Sequence, residues 1–249
     1  MGGSVDLLLF QHLLARPDTE LGVEHLSLLL CELDGPGVNV GAYLQKLDVL
    51  GELARIRLRF AQRCGSTPAD RVMPILRLLY SELGFHGNTT DYYDARNSYL
   101  NHVIDRRTGN PLSLAVILLS VCRRAGVEVE GISFPGHFLV RAAKASGEML
   151  YIDPFDGHLL TPVEMRALYE SATGDPGEID PLYLSRASRR QVMKRMLNNL
   201  RAIYELRGDG ERLRFVLEHL SLLMPSEEVQ RRLETVVQSE NLSPRISLN

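Results

Sequence analysis

Apolar residues fill nearly every position from Leu112 to Val121, the pattern of a helix buried around most of its circumference. Thr108, Gly109 and Asn110 ahead of it are turn formers. Asn110 suits the cap, and Pro111 stands at the first helical position, where a missing N–H is no loss. Gly126 marks the end, just after Arg123 and Arg124 set positive charge at the negative end of the dipole. The period then drops to two. Phe138, Val140 and Ala142 alternate with His137, Leu139 and Arg141, as in a half-buried strand, and a second strand over Met149–Asp153 follows a Ser146-Gly147 turn signal. A hairpin centred near Ala145 sets His137 opposite Asp153, give or take one residue. Directly opposed residues share a face, with Cβ atoms roughly 4.5–5.5 Å apart. An imidazole and a carboxylate are therefore expected as neighbours, with the helix start at Pro111 pointing toward them. That is the layout of a nucleophile, a base and its orienter.

Around this centre the pattern is helical. Segments from about Val5 to Leu14, Glu20 to Cys31 and Val40 to Cys64 carry the 3.6 period, broken at Pro17 and Gly35-Pro36-Gly37. A fourth runs from Pro68 to Leu83, with Thr67 as cap and Gly84 as stop. The polar stretch FHGNTTDYYD, from Phe85 to Asp94, is a loop leading into a helix from about Ala95 to Asp105. Asn97 and Asn101 lie four apart there and share a face. Past the hairpin, Asp156-Gly157 is a turn, and Thr161-Pro162-Val163-Glu164 starts another helix as a capping box with proline first. Ser171 to Pro181 reads as a linker. The tail predicts helices from about Arg189 to Leu206, Glu211 to Leu223 and Ser226 to Ser239, with Met193, Met196, Leu197, Leu200 and Ile203 turned toward the rest of the protein.

Composition narrows the classes. Across 249 residues, 28 Lys and Arg stand against 31 Asp and Glu, a net charge of −3 that favours neither nucleic acid nor an anionic membrane as partner. From Arg186 to Arg214, however, nine basic residues face three acidic ones, a local +6. No aromatics are interleaved for base stacking, so this reads as a solvated face before it reads as an RNA site. The apolar run at Leu112 is too short for a bilayer, which needs about 20 residues, and the N-terminus lacks the basic region of a secretion signal. Cys31, Cys64 and Cys122 are odd in number and widely spaced, which fits a reducing cytoplasm and neither a disulfide framework nor a zinc site. Asp153, Asp156 and His158 are too few ligands for a hard cation. No metal and no cofactor is expected.

The stretches YYDARNSYLNHVIDRRTGNPLSL, GISFPGHFLVR and YIDPFDGHLL, all within Tyr92 to Leu160, resemble the SirB-type bacterial transglutaminase-like proteins. The resemblance implies a papain-like fold ordered as helix N-terminus, then His, then Asp, often followed by tetratricopeptide repeats. It implies a site at His137 and Asp153, with the segment holding Asn97 beside it. It also exposes a departure. Where active members carry a nucleophilic Cys two residues after a Gly, this chain has Pro111. Ser113 is the nearest hydroxyl but is rotated about 200° around the helix axis from Pro111, and Cys122 lies about 16 Å along the helix in apolar surroundings.

The expected fold is α+β: a helix-rich transglutaminase-like domain with a small antiparallel sheet over residues 1–185, then a helical, tetratricopeptide-like region over 186–249. The leading expectation for function is a non-catalytic protein. Its former cleft, walled by Asn97, Asn101, Asn110 and Pro111 beside His137 and Asp153, would bind a peptide or protein partner. The alternative is an amide or ester hydrolase or acyl-transfer enzyme, with His137 as base, Asp153 as orienter and Ser113 or water as nucleophile. A third reading is a helical scaffold with an inherited cleft.

Overall fold

The computed structural model describes residues 3–35, 37–61 and 66–242; Pro36 and Cys64 lie outside them. Its centre is the helix α6, Pro111–Ala125, with α1 to α5 before it: Gly3–Leu14, Val23–Leu29, Val40–Phe60, Pro68–Leu76 and Leu100–Arg106. Asn110 caps α6 by accepting from Ser113 N, Ser113 accepts from Asn110 N in return, and Gly126 closes the helix in the left-handed region. Leu114, Ala115, Ile117, Leu118, Val121 and Cys122 are all but inaccessible to solvent. α2, α3, α4 and α5 pack against this cylinder.

Two short strands, β1 (His86–Gly87) and β2 (Thr108–Gly109), pair in parallel and so tie the loop after α4 to the start of α6. The main sheet is antiparallel throughout, in the order β3 (Glu130–Ile132), β4 (Leu139–Ala143), β5 (Met149–Asp153), β6 (His158–Leu160). Val140, Ala142 and Ile152 face the main core with α6. Leu139 and Ile132 face the other way, into a second cluster with Met165 and Tyr169 of α7 (Pro162–Thr173). The β4 strand is thus buried on both faces, where alternation alone suggested one. The small apolar cluster under α7 makes the difference.

Pro74 sits inside α4, and the helical path continues from Arg77 to Glu82 as a π-turn. Leu83 N donates to Leu78 O at 2.9 Å, an i→i+5 bond. A plain helix to Leu83 was the expectation. Proline cannot donate to the ladder, and the widened turn beyond it sets Tyr80 toward the sheet, where its hydroxyl reaches Pro154 O at 2.8 Å.

The tail forms α8 (Arg189–Arg207), α9 (Gly210–Leu223) and α10 (Glu227–Leu242), each packed on the next. Met193, Met196, Leu197, Leu200 and Ile203 of α8 are buried in the same core as α2 and α6. Ala187 N donates to Gly131 O at 2.8 Å, so the chain entering α8 is tied to the edge strand β3. The architecture is α+β. No helix among the described residues is long and apolar enough to cross a membrane.

Candidate functional site

Pro135 and Gly136 make a tight turn, closed by His137 N donating to Phe134 O at 3.2 Å, and His137 follows it just ahead of β4. The ladder pairs Val140 with Ile152 and Ala143 with Met149. Continued outward, this register sets Leu139, not His137, across from Asp153, so each cross-strand partner is shifted by two residues from the centring at Ala145. A two-residue shift keeps every side chain on its face. His137 therefore still reaches Asp153 diagonally, from the turn, with Nε2 2.9 Å from Oδ1. The ring N–H does not aim along that line, and Nε2 has no directed hydrogen bond. The contact is close but carries no directed hydrogen bond, and it leaves Nδ1 as the other ring nitrogen. Asp153 Oδ1 also accepts from Phe155 N at 2.8 Å, which fixes the Asp153-Pro154 turn. Tyr80 lies beneath. Burial, with the charge of Asp153 adding to it, pushes its phenol well above the ordinary value, so it stays a neutral donor to Pro154 O.

Two residues that sequence reasoning passed over position this pair. Arg195 of α8 donates to Ser133 Oγ at 3.1 Å, Phe134 O at 3.0 Å and His137 O at 2.8 Å. Its guanidinium stands 5.7 Å from the centre of the Phe138 ring, and burial lowers its pKa from the usual guanidinium value. Phe155 lies against the backbone of Gly87, where a Cβ would fall 2.1 Å from the ring. It covers the β1–β2 pair that feeds α6. Both contacts join residues more than fifty positions apart, and no local pattern announces them.

The residues expected as cleft walls sit deeper than a wall. Asn97, Asn101, Asn110 and Pro111 are all buried. Asn97 accepts from Asn88 Nδ2 at 3.0 Å and donates to Asp91 O at 2.8 Å and Tyr92 O at 3.2 Å. Asn110 donates to Ser98 Oγ at 2.9 Å and accepts from Ser113 N. Asn101 Oδ1 has no hydrogen-bond partner. Asn97 and Asn110 thus brace the buried segment around the start of α6, where a buried amide is held by partners within the fold. Ser113 is inaccessible to solvent, and its hydroxyl donates to Asn97 O at 2.6 Å. Its other contacts are Asn110 O and Asn110 N, and His137 is not among its partners. The capping box holds Ser113 inside the fold, against Asn97 and Asn110.

Asn97 also holds the loop ahead of it. Asn88 Oδ1 accepts from Thr90 N, Thr90 Oγ1 and Asp91 N at 2.9–3.1 Å, and with Asn97 it leaves Tyr92 and Tyr93 exposed, their rings edge to face at 5.5 Å. Arg207 of α8 donates to Tyr93 O at 3.2 Å, which ties the loop that carries the tyrosine pair to α8.

Chemistry elsewhere is muted. Burial pushes the Cys31 thiol up to about 12 and raises Cys122 further. His158 pairs with Glu164 at 2.9 Å rather than with Asp153 or Asp156. Among the described residues no group of three or more His, Cys, Asp or Glu could hold a metal. The positive tail is largely spent inside the protein. Arg189 and Arg190 donate to Leu21 O and Leu14 O, Arg207 to Tyr93 O, and Arg201 and Arg212 pair with Glu205 and Asp209.

The profile of a transglutaminase-like superfamily matches residues 41–198. A UPF0162 protein of Xylella fastidiosa (strain Temecula1) is 34% identical over 227 residues, 89% of this chain and 78% of the relative. A UPF0162 protein of Vibrio cholerae serotype O1 is 31% identical over 132 residues, 53% of this chain and 49% of that protein. The chain thus spans between about half and four-fifths of the length of these two relatives. Human F-box only protein 21 is 32% identical over 155 residues, 59% of this chain but 24% of its own length. No solved structure matches. The chain belongs to the transglutaminase-like superfamily and, within it, to the UPF0162 proteins.

Proposed function

We propose that this is a non-catalytic transglutaminase-like protein of the SirB type, whose surface at the former active site binds a peptide or partner protein. One observation carries the reading. The position that a nucleophile would take, at the start of α6, is the buried Pro111, closed over by the Asn110–Ser113 capping box. The His137–Asp153 pair keeps its contact without a partner to activate. Two exposed tyrosines stand on a loop stiffened by Asn88 and Asn97, and rigid aromatic side chains give contact area at low entropic cost. A matching segment forms about a quarter of F-box only protein 21, which agrees with a module acting within larger assemblies. The tail, with helices of tetratricopeptide-like length, adds a second contact region.

The test is a pulldown with intact protein, with Tyr92→Ala/Tyr93→Ala and with His137→Ala. The expected result is a partner retained by the intact chain and lost from the tyrosine variant. Turnover of model amide or ester substrates that disappears in His137→Ala would favour instead the hydrolase or acyl-transfer reading, with water or Ser113 attacking.

A further inference from the structure

The inner face of α3 is settled: Leu47, Gly51 and Ala54 are buried, and the helix packs along α6. Its outer face is another matter. Val49, Leu53, Ile56 and Phe60 recur at intervals of four, three and four, and all four are exposed, Val49 to 60% and Phe60 to 80%. That spacing is the seam of a two-helix coiled coil, about 16 Å long at 1.5 Å per residue. Four large apolar side chains in one row on a solvent-facing helix mark an interaction surface.

We infer that the occupant is a second copy of this chain, with the two α3 helices antiparallel about a two-fold axis. Charge and shape both select this arrangement. Glu52 and Arg59 flank the seam on one edge. In the antiparallel register, Val49 meets the second copy's Phe60 and Leu53 meets its Ile56, while Glu52 faces Arg59 twice, once from each side. Among the described residues of one copy Glu52 pairs with Arg55, at 2.9 Å and half exposed, a contact worth little and easily exchanged. The shape argument is independent of charge. Beside Val49 lies a groove of about 490 Å³ with an apolar floor of Ala42, Leu50, Leu83, Phe85 and Ile104, rimmed by Gln45, Lys46 and Arg107. The same two-fold carries the second copy's Phe60 to this groove, and the first copy's Phe60 to its twin. A knob at one end of the seam and a hole at the other give a self-complementary, closed interface. The seam is short, so the dimer should dissociate in the micromolar range.

The experiment is sedimentation equilibrium of the full chain from low to high micromolar concentration. A monomer–dimer equilibrium is expected. Phe60→Ser and Glu52→Arg should each weaken it about ten-fold or more, and Glu52→Arg combined with Arg59→Glu should restore it. All three positions are solvent-facing, so unchanged thermal melts by circular dichroism would show the variants folded. A chain that stays monomeric throughout overturns the proposal and leaves the stripe to a different protein. A dimer indifferent to Phe60→Ser, or one that the charge exchange fails to rescue, overturns the α3 interface or its antiparallel register.

Discussion

At Pro111 the first turn of α6 carries the positive end of the helix dipole, and the transglutaminase-like resemblance implies that it faces the His137–Asp153 pair. A thiol placed there should therefore ionise readily. In Pro111→Cys the thiol pKa is expected well below the free value of about 8.5, read from the pH dependence of alkylation. Adding His137→Ala should move it back up, and a thiol titrating near the free value in both variants would show that the remnant geometry is absent. Gly87 poses a steric question instead. A Cβ there would lie 2.1–2.2 Å from three atoms of the Phe155 ring. Gly87→Ala should cost about 1–3 kcal/mol through overpacking and lower the melting temperature, and Phe155→Leu in the same chain should recover part of the loss.

Between elements, α1 and α9 meet through an aromatic cluster. The His219 ring stacks on Phe215 at 4.1 Å and meets the edge of Phe10 at 4.6 Å, while its Nδ1 shares a hydrogen bond with Phe215 O at 2.8 Å. Burial lowers the His219 pKa to about 4. The unfolded chain, titrating near 6.5, binds the proton more readily than the folded one between pH 6.5 and 4. Stability is then fully present above about pH 6.5 and falls as the pH drops through that window, by about 3 kcal/mol in all. Denaturant melts at pH 7 and 4.5 would show the difference, and His219→Phe should flatten it. Equal slopes in the two proteins would place the acid sensitivity elsewhere.

At the scale of the molecule, α8 joins the tail to both the core and the site. Val192, Met193, Met196, Leu197, Leu200, Ile203 and Tyr204 of α8 enter the core shared with α2 and α6, and Arg195 holds the His137 turn. Limited proteolysis is expected to yield no stable fragment ending near Ser185. A release that left the rest as stable as before would make the tail an independent module. Arg195→Met should speed amide exchange at Phe134 and His137, and unchanged exchange there would show that the arginine does not hold the turn.

The sequence by itself determined what depends on neighbours along the chain. The central helix, its Asn110 cap, Pro111 and its Gly126 stop were legible because capping chemistry is local, and the face shared by His137 and Asp153 followed because a strand has period two. Register was less secure, since moving the hairpin centre by one residue, from Ala145 to Ser146, changes each cross-strand partner by two without changing any face. Tertiary structure alone decided the rest. It buried Leu139 as well as Val140 by placing α7 on the second face, widened the helix after Pro74 to bring Tyr80 under Pro154, and sank the asparagines expected in a cleft wall into the buried segment around the start of α6. It also brought Arg195 to the His137 turn and Phe155 to Gly87. Those contacts exist only because distant segments are held together by a common core, and no spacing along the chain encodes which of them will meet.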